Sequence, residues 1–378
     1  MPELNIRVGI KTAGAPELIQ GENCVILRNM LIGDSFHWQQ SSEVRLPADA
    51  TLERVHKDES LACGRADENV SLVMTLPVES YLMSVVASEM KSSAPIEFLK
   101  AHAVISRSWV IGKIAGTHPI DGNGKVDEKD RLIGWDDTSG HKGFHVCSDD
   151  HCQRYQGVKK LAPSILDALK MTEGEVLTTP RGEILDARFS KCCGGITEVF
   201  ETCWQPKHFD CLESVEDPWC NLEHLDENKR RVILSTILNE YDLKTEGYGY
   251  RWSSEILKSA VQDNLLHKFD RDIGRIERMT ALHRGPSGRI DLLRLDGERG
   301  SLEIGKELWI RRLLSDSHLY SSYFKIEDTG KSFILRGRGW GHGVGLCQIG
   351  GANMALNGYD YRDILKFYYP GSRVEKWA

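Results

Sequence analysis

A histidine stands among five glycines in Gly337-Arg338-Gly339-Trp340-Gly341-His342-Gly343-Val344-Gly345, and Leu346-Cys347-Gln348-Ile349-Gly350-Gly351 then opens a helix. Glycine tolerates positive φ and lets the backbone approach a ligand closely. The run therefore predicts a loop whose main chain reaches a bound group. A glycine loop feeding a helix start also turns free N–H groups outward, toward a polar or anionic ligand. A tight turn with a surface histidine is the plainer alternative.

A carboxylate is the second candidate for chemistry. Pro77 suits the first position of a helix and Glu79 its first turn. Val78, Tyr81, Leu82, Val85 and Val86 follow the spacing of a buried stripe, and Glu89 continues it. A glutamate in line with an apolar face loses water, which raises its pKa and keeps it protonated. That is the state a general acid needs. A second helix begins at Pro95, where Ile96, Leu99 and Ala103 share a face that Arg107 continues. Glu89 and Arg107 are thus expected to meet where the two helices pack. Spacing alone fits a structural ion pair at the rim of the core somewhat better than it fits catalysis.

Thiols and imidazoles are the third. His141, Cys147, His151 and Cys152 offer four ligands within a dozen residues, with His145 as a substitute for His141. Thiolate and imidazole together suit Zn²⁺, and a closed set of two cysteines and two histidines is usually structural. Free thiols or a Cys147–Cys152 disulfide are the alternatives. Cys192, Cys193, Cys203, Cys211 and Cys220 form a looser set around Gly194-Gly195, in which disulfides would need an oxidising compartment.

The elements that must hold these groups are mixed. Residues 1 to about 70 read as short β segments, including Ile6–Ile10, Cys24–Leu27 and Phe36–Trp38. Residues 77–114 have helical periodicity, 115–160 read as long polar loops, and Glu175–Leu177 and Ile184–Phe189 read as strands around a Pro180-Arg181-Gly182 turn. Residues 253–280 again have helical spacing through Ile256, Leu257, Ala260, Val261, Leu265 and Phe269, and 288–304 suggest a hairpin around Asp296-Gly297. The architecture predicted is α+β, with strand-rich segments surrounding a helical centre.

At 378 residues the chain can bury a large core, and its 40% hydrophobic and 27% charged residues fit a globular protein. A net charge of −7 leaves no basic excess for nucleic acid. No apolar run is long enough to span a bilayer. The start, Met1-Pro2-Glu3-Leu4-Asn5-Ile6, does not read as a secretory signal.

Three segments together resemble the stage II sporulation protein D and amidase enhancer family of cell-wall proteins. Leu76-Pro77-Val78-Glu79-Ser80-Tyr81-Leu82, Val85–Met90 and Leu99–Trp109 are similar to its L-x-x-Y-L-x-x-V-V-x-x-E-M and A-L-K-A-Q-A-V-x-A-R-T-Y. Phe189–Glu198 resembles x-S-x-S-G-G-x-T-E, and the glycine loop resembles G-x-G-x-G-H-G-V-G-M-S-Q-Y-G-A, followed by Ala355, Gly358-Tyr359 and Ile364 to Gly371. His102 replaces the family's glutamine, Cys192-Cys193 a serine-containing pair, and Cys347-Gln348-Ile349 its Ser-Gln-Tyr.

The resemblance implies a lytic transglycosylase that cuts peptidoglycan glycan strands, with Glu89 as catalytic acid and Arg107 orienting it or a substrate oxygen. Ser190, Gly194, Gly195, Thr197, Trp340, His342, Gln348 and Tyr368 would line the glycan groove, with Trp340 and Tyr368 as stacking surfaces. It also implies structural zinc at His141, Cys147, His151 and Cys152, an extracytoplasmic location and an amidase as possible partner. The expected division is a β-rich segment at 1–70, a catalytic core with the Cys/His insertion at 71–200, a partly helical insertion at 201–280, and 281–378 completing the core. Two alternatives stand beside it. One is a non-enzymatic wall-binding enhancer of an amidase. The other is a zinc amidase or peptidase using His342, disfavoured because no HExxH-like pair accompanies that histidine.

Overall fold

A computed structural model describes residues 4–22, 24–34, 37–40, 43–54, 70–116, 124–135, 141, 143–148, 152–243, 246–316 and 319–377. His151 and Phe36, both singled out in the sequence, lie outside the described residues.

The chain opens with the strand Asn5–Gln20, where the alternation of Ile6, Val8 and Ile10 puts all three side chains in the core. It pairs antiparallel with Val70–Pro77 in the register Ile6↔Leu76, Val8↔Met74 and Ile10↔Leu72, within a seven-stranded sheet. Val70–Pro77 runs straight into the helix Val78–Glu89. Pro77 is extended at φ −57° and ψ 145°, so it caps this helix from outside, one residue earlier than the pattern suggested.

The second helix, Ile96–Ile114, packs on the first. Val78, Tyr81, Leu82, Val85 and Val86 are all buried as the stripe requires. Both helices are nonetheless enclosed on almost every side, because small residues such as Ser84, Ala87, Ser88 and Ala101 fill the rest of their surfaces. The buried serines find partners in the segment 156–157. Ser84 Oγ donates to the Gly157 carbonyl at 3.0 Å, and Ser88 Oγ accepts the Gln156 N–H at 3.0 Å.

The C-terminal helices Gln348–Leu356 and Tyr361–Tyr368 pack back on Ile96–Ile114, and the strand Arg373–Lys376 pairs with Glu175–Thr178. Distant ends of the chain thereby close one large core.

A smaller core is formed by Leu132 with residues between Trp252 and Leu335. Here 253–280 departs from the helical expectation. Only Lys258–Phe269 is helical, flanked by the strands Arg251–Leu257 and Ile276–Arg284. Ile256 and Leu257 sit on opposite strand faces, 8% and 55% exposed. Arg251–Leu257 pairs with Ser332–Arg338, a partner about eighty residues away that local periodicity cannot reveal. The loops expected at 115–160 likewise hold the strands Gly124–Asp127 and Arg131–Trp135, which extend the sheet of Ile276–Arg284, Ile290–Gly297 and Gly300–Gly305. The hairpin is present, but its register of Asp296↔Ser301 and Gly297↔Gly300 puts the tip at Glu298-Arg299. The architecture is α+β. Among the described residues no helix is long and apolar enough to cross a membrane.

Candidate active site

Glu89 closes its helix inside the protein, 8% exposed. Its two carboxylate oxygens are held by separate segments. Oε1 accepts the Arg154 main-chain N–H at 3.0 Å, and Oε2 accepts the Gln348 side-chain amide at 3.3 Å. Gln348 is the first residue of the helix that follows the glycine loop, so the acid and that loop do converge.

The Gln348 Nε2 also lies 2.9 Å from His102 Nε2, while His102 Nδ1 lies 3.2 Å from Ser106 Oγ. Burial pushes the His102 pKa down to about 4, so the ring is neutral near pH 7. A neutral ring that accepts at Nε2 donates from Nδ1 to Ser106, which leaves both protons of the Gln348 amide for His102 and Glu89.

Below the carboxylate lies a buried charge network. Lys191 Nζ donates to the Glu89 carbonyl at 3.2 Å and pairs with Asp242 at 3.0 Å, and the Arg154 guanidinium lies 3.4 Å from Asp242. Asp242 is fully buried and kept ionised, burial being outweighed by Lys191 and Arg154. The same competition decides Glu89. Burial raises its pKa, but Arg154, Lys191 and the Arg154 N–H together hold it below the ordinary carboxylate value. The apolar stripe predicted a raised pKa. Two buried cations from outside the helix reverse the sign.

Arg107 does not meet Glu89. It is fully buried and forms a bidentate pair with Glu79, Nε to Oε1 at 2.6 Å and Nη2 to Oε2 at 2.9 Å, with a third bond to the Glu175 carbonyl at 3.1 Å. Its face of the helix meets the first turn of Val78–Glu89 rather than the last.

The other predicted groove residues separate. Tyr368 is fully buried with its hydroxyl on Asp217 Oδ2 at 3.0 Å, so it offers no face to a sugar. Thr197 is enclosed, and its Oγ1 accepts the Val215 N–H at 2.7 Å as a loop latch. Gly194 and Gly195 take φ of +80° and +105°. A Cβ at Gly194 would come within 2.8 Å of Gly339 N, so Gly194 serves close backbone packing, while at Gly195 it is the positive φ that favours glycine. Ser190 is buried beside the loop, and its hydroxyl has no partner among the described residues. Trp340 is half-buried, its ring edge-on to Tyr320.

The glycine loop wraps a side chain of this protein. The buried Arg289 guanidinium donates to the carbonyls of Gly341 and Cys193. A Cβ at Gly339 or Gly343 would lie 2.6 or 2.5 Å from its atoms, and one at Gly345 would lie 2.1 Å from the Arg188 carbonyl. Close approach is what the glycines provide, as expected, but to arginine and backbone. His342 is partly buried, accepts the Val344 N–H on Nδ1 at 3.0 Å and meets the Trp204 ring edge. Burial and the nearby Arg188, Arg289 and Arg311 keep it neutral. The helix start at Gln348 is capped by Cys347 Sγ, which accepts the Gly350 N–H.

Among the described residues, two groups of side chains could hold a metal ion. In the first, His141, Cys147 and Cys152 bring their donor atoms within 4.8 Å of one another. The Cys147–Cys152 sulfur separation of 3.6 Å compares with about 3.8 Å for two thiolates in a tetrahedron with 2.3 Å bonds. His145 is turned away, its Nδ1 accepting the Arg7 N–H. The second group is Cys193, Asp217, Cys220 and Cys347. The five cysteines read together from the sequence therefore divide: Cys193 and Cys220 join this group, the buried Cys192 thiol lies against Cys220 and Cys347, Cys203 lies against the His342 carbonyl, and Cys211 is buried elsewhere.

Sequence reading missed Lys191, Arg154 and Asp242 as partners of the site. His102 was visible only as a departure from a motif. Charged residues in polar stretches carry no periodic signal, and Asp242 reaches Lys191 only through tertiary folding.

Residues 66–179 match the family model described as Stage II sporulation protein, a span that holds Glu89, Arg107 and the first metal-compatible group. Residues 198–345 match a domain of unknown function (DUF8618). The chain is 26% identical over 306 residues to stage II sporulation protein D of Bacillus subtilis (strain 168), covering 80% of this chain and 76% of that protein. The protein of the same name from Bacillus amyloliquefaciens is 26% identical over 304 residues, with the same coverage. The amidase enhancer of Bacillus subtilis (strain 168) is 23% identical over 316 residues, covering 78% of this chain and 40% of that protein.

Proposed function

From the match of residues 66–179 to the family model described as Stage II sporulation protein, we propose that the chain is a peptidoglycan lytic transglycosylase with Glu89 as its single acid and base. The family supports a cell-wall-related role in general. The narrower reading rests on one observation: a helix-terminal carboxylate, 8% exposed, whose two oxygens are oriented from separate segments. Asp242, the other carboxylate of this network, is locked by Lys191 and Arg154 and is not free to activate water. A hydrolytic glycosidase generally needs a second carboxylate, whereas intramolecular attack does not.

Protonated Glu89 donates to the glycosidic oxygen between N-acetylmuramic acid and N-acetylglucosamine, and the bond from that oxygen to the muramic C1 breaks. The carboxylate so formed takes the proton of the muramic 6-hydroxyl, whose oxygen closes on C1 as the 1,6-anhydro ring. The proton returns to Glu89 and no water is consumed. Lys191 and Arg154 favour the carboxylate between the two transfers, and Gln348 fixes its orientation. Ser190 carries a buried hydroxyl beside the glycine loop that has no hydrogen-bond partner among the described residues. Glu89 is ionised in the unliganded protein, so the first transfer requires proton uptake as glycan displaces water from the carboxylate.

His141, Cys147 and Cys152, with His151 as the fourth ligand expected from the sequence, would hold Zn²⁺. The ion would supply a cross-link that fixes the segment leading to Arg154, two residues beyond Cys152. Peptidoglycan is the substrate, an amidase is a possible partner, and an extracytoplasmic location follows from the family reading.

One observation favours the second reading, a wall-binding amidase enhancer without glycan cleavage: Glu89 is held ionised and both its oxygens already have partners. Digestion of purified peptidoglycan, with and without stem peptides, separates the two by mass analysis of the products. Anhydro-muramic ends from wild type and none from Glu89→Gln support the enzyme. Equal yields from both variants remove Glu89 as the acid, and no anhydro ends from either favour the enhancer.

A further inference from the structure

We propose that Cys193, Cys220 and Cys347, together with the Asp217 carboxylate, form a second Zn²⁺ site, separate from the His141, Cys147 and Cys152 group. The proposal stands on these side chains alone and does not depend on glycan cleavage.

All four residues are buried, at most 1% exposed, and their donor atoms lie within 4.8 Å of one another. Cys193 Sγ is 3.4 Å from Cys220 Sγ and 3.1 Å from Asp217 Oδ2. Donors this close surround one ion. A tetrahedron with 2.3 Å zinc–sulfur bonds separates its sulfurs by about 3.8 Å. The ligands of an iron–sulfur cluster, by contrast, are spread over two or more iron atoms, and those on different irons are held farther apart. Three soft sulfurs and one carboxylate oxygen suit borderline-soft, tetrahedral zinc.

Two independent observations point to a cation-binding role. Asp217 takes part in no ion pair among the described residues, although buried charges are ordinarily paired or bound to metal. Its Oδ1 accepts the main-chain N–H groups of Trp219 and Cys220, and its Oδ2 accepts Tyr368 Oη, which leaves that oxygen oriented toward the thiols. Two of the sulfurs also accept main-chain N–H groups, as thiolates in metal sites do. Cys347 Sγ receives the N–H groups of Cys193 at 3.3 Å and Gly350 at 3.4 Å, and Cys193 Sγ receives that of Gly195 at 3.4 Å.

The sequence agrees. Cys347 stands where the family pattern has serine, and Cys193 belongs to the pair that replaces a serine-containing one. Two departures separated by more than a hundred and fifty residues thus meet in space, with Cys220 beside them. Zinc here would tie together the end of the strand Phe189–Ser190, the loop at 217–220 and the start of the helix Gln348–Leu356. Lys191 and Gln348, which both touch Glu89, are each within two residues of a ligand.

The test is zinc stoichiometry of the full chain, purified anaerobically and measured by elemental mass spectrometry. The expected result is two zinc ions per chain, with one lost in Cys220→Ser and in Cys347→Ser. The remaining one is lost when Cys147→Ser and Cys152→Ser are added. Zinc content unchanged by Cys347→Ser in folded protein overturns the proposal, as does a Cys193–Cys220 disulfide in the anaerobic preparation. Should the Cys220 and Cys347 variants not fold, the Cys147→Ser/Cys152→Ser protein loaded with Co²⁺ answers instead. One bound cobalt with sulfur-to-cobalt charge-transfer absorption supports the site, and its absence overturns it.

Discussion

The Gln348 side-chain amide donates to Glu89 across 3.3 Å and reaches His102 at 2.9 Å, joining two helices that lie some 260 residues apart in the chain. This one amide connects the glycine loop to the acid. His342, the most conspicuous residue of that loop in the sequence, instead turns into the Trp204 ring and its own backbone.

Glu89→Gln keeps the shape of the side chain and removes its proton. Anhydro-end formation is expected to fall by about 10²–10⁴-fold, the usual contribution of a general acid or base. Product mass analysis under matched protein concentrations checks this.

Gln348→Leu removes a donor to the carboxylate and so destabilises its charged form. The limb of the kcat/KM–pH profile that belongs to Glu89 should move to higher pH, with a loss of activity at its maximum. A purely structural role for Gln348 would lower activity without moving the limb.

The pH dependence of wild type follows from the lowered Glu89 pKa. The acid form of the free protein is scarce at neutral pH, so kcat/KM should rise by about tenfold per pH unit as pH falls toward that pKa. Stability runs the opposite way. A depressed carboxylate pKa stabilises the fold above the unfolded value of 4.5 and loses that contribution as pH falls through the folded pKa.

His102 adds a second acid-sensitive contribution. Its folded pKa of about 4 lies below the unfolded 6.5, so the unfolded chain takes up a proton first as pH drops between those values. His102→Gln should flatten the decline in stability between pH 7 and pH 5, by on the order of 2 kcal/mol. Denaturant titrations of both proteins at the two pH values measure the difference.

Arg107→Ala leaves Glu79 and the Glu175 carbonyl without their partner and opens a space in the core. A loss of about 3 kcal/mol is expected, at the low end for a broken buried pair because the Glu79 side chain is 37% exposed. Specific activity of the fraction that remains folded should change little. A large fall in kcat at unchanged stability would return Arg107 to the catalytic group.

The sequence by itself determined the α+β class, the two central helices and the burial of Glu89, because 3.6-residue and two-residue periodicities record which face meets the core. It also placed Cys147 and Cys152 together, since ligands close in the chain need only a local loop to converge. Only the tertiary structure decided the ionisation of Glu89 and the partner of Arg107. A pKa depends on charges within a few ångströms, and Lys191 and Arg154 arrive from segments with no periodic link to the helix. The same holds for the three cysteines around Asp217, which are scattered from 193 to 347 and are brought together only when the two ends of the chain close over one core.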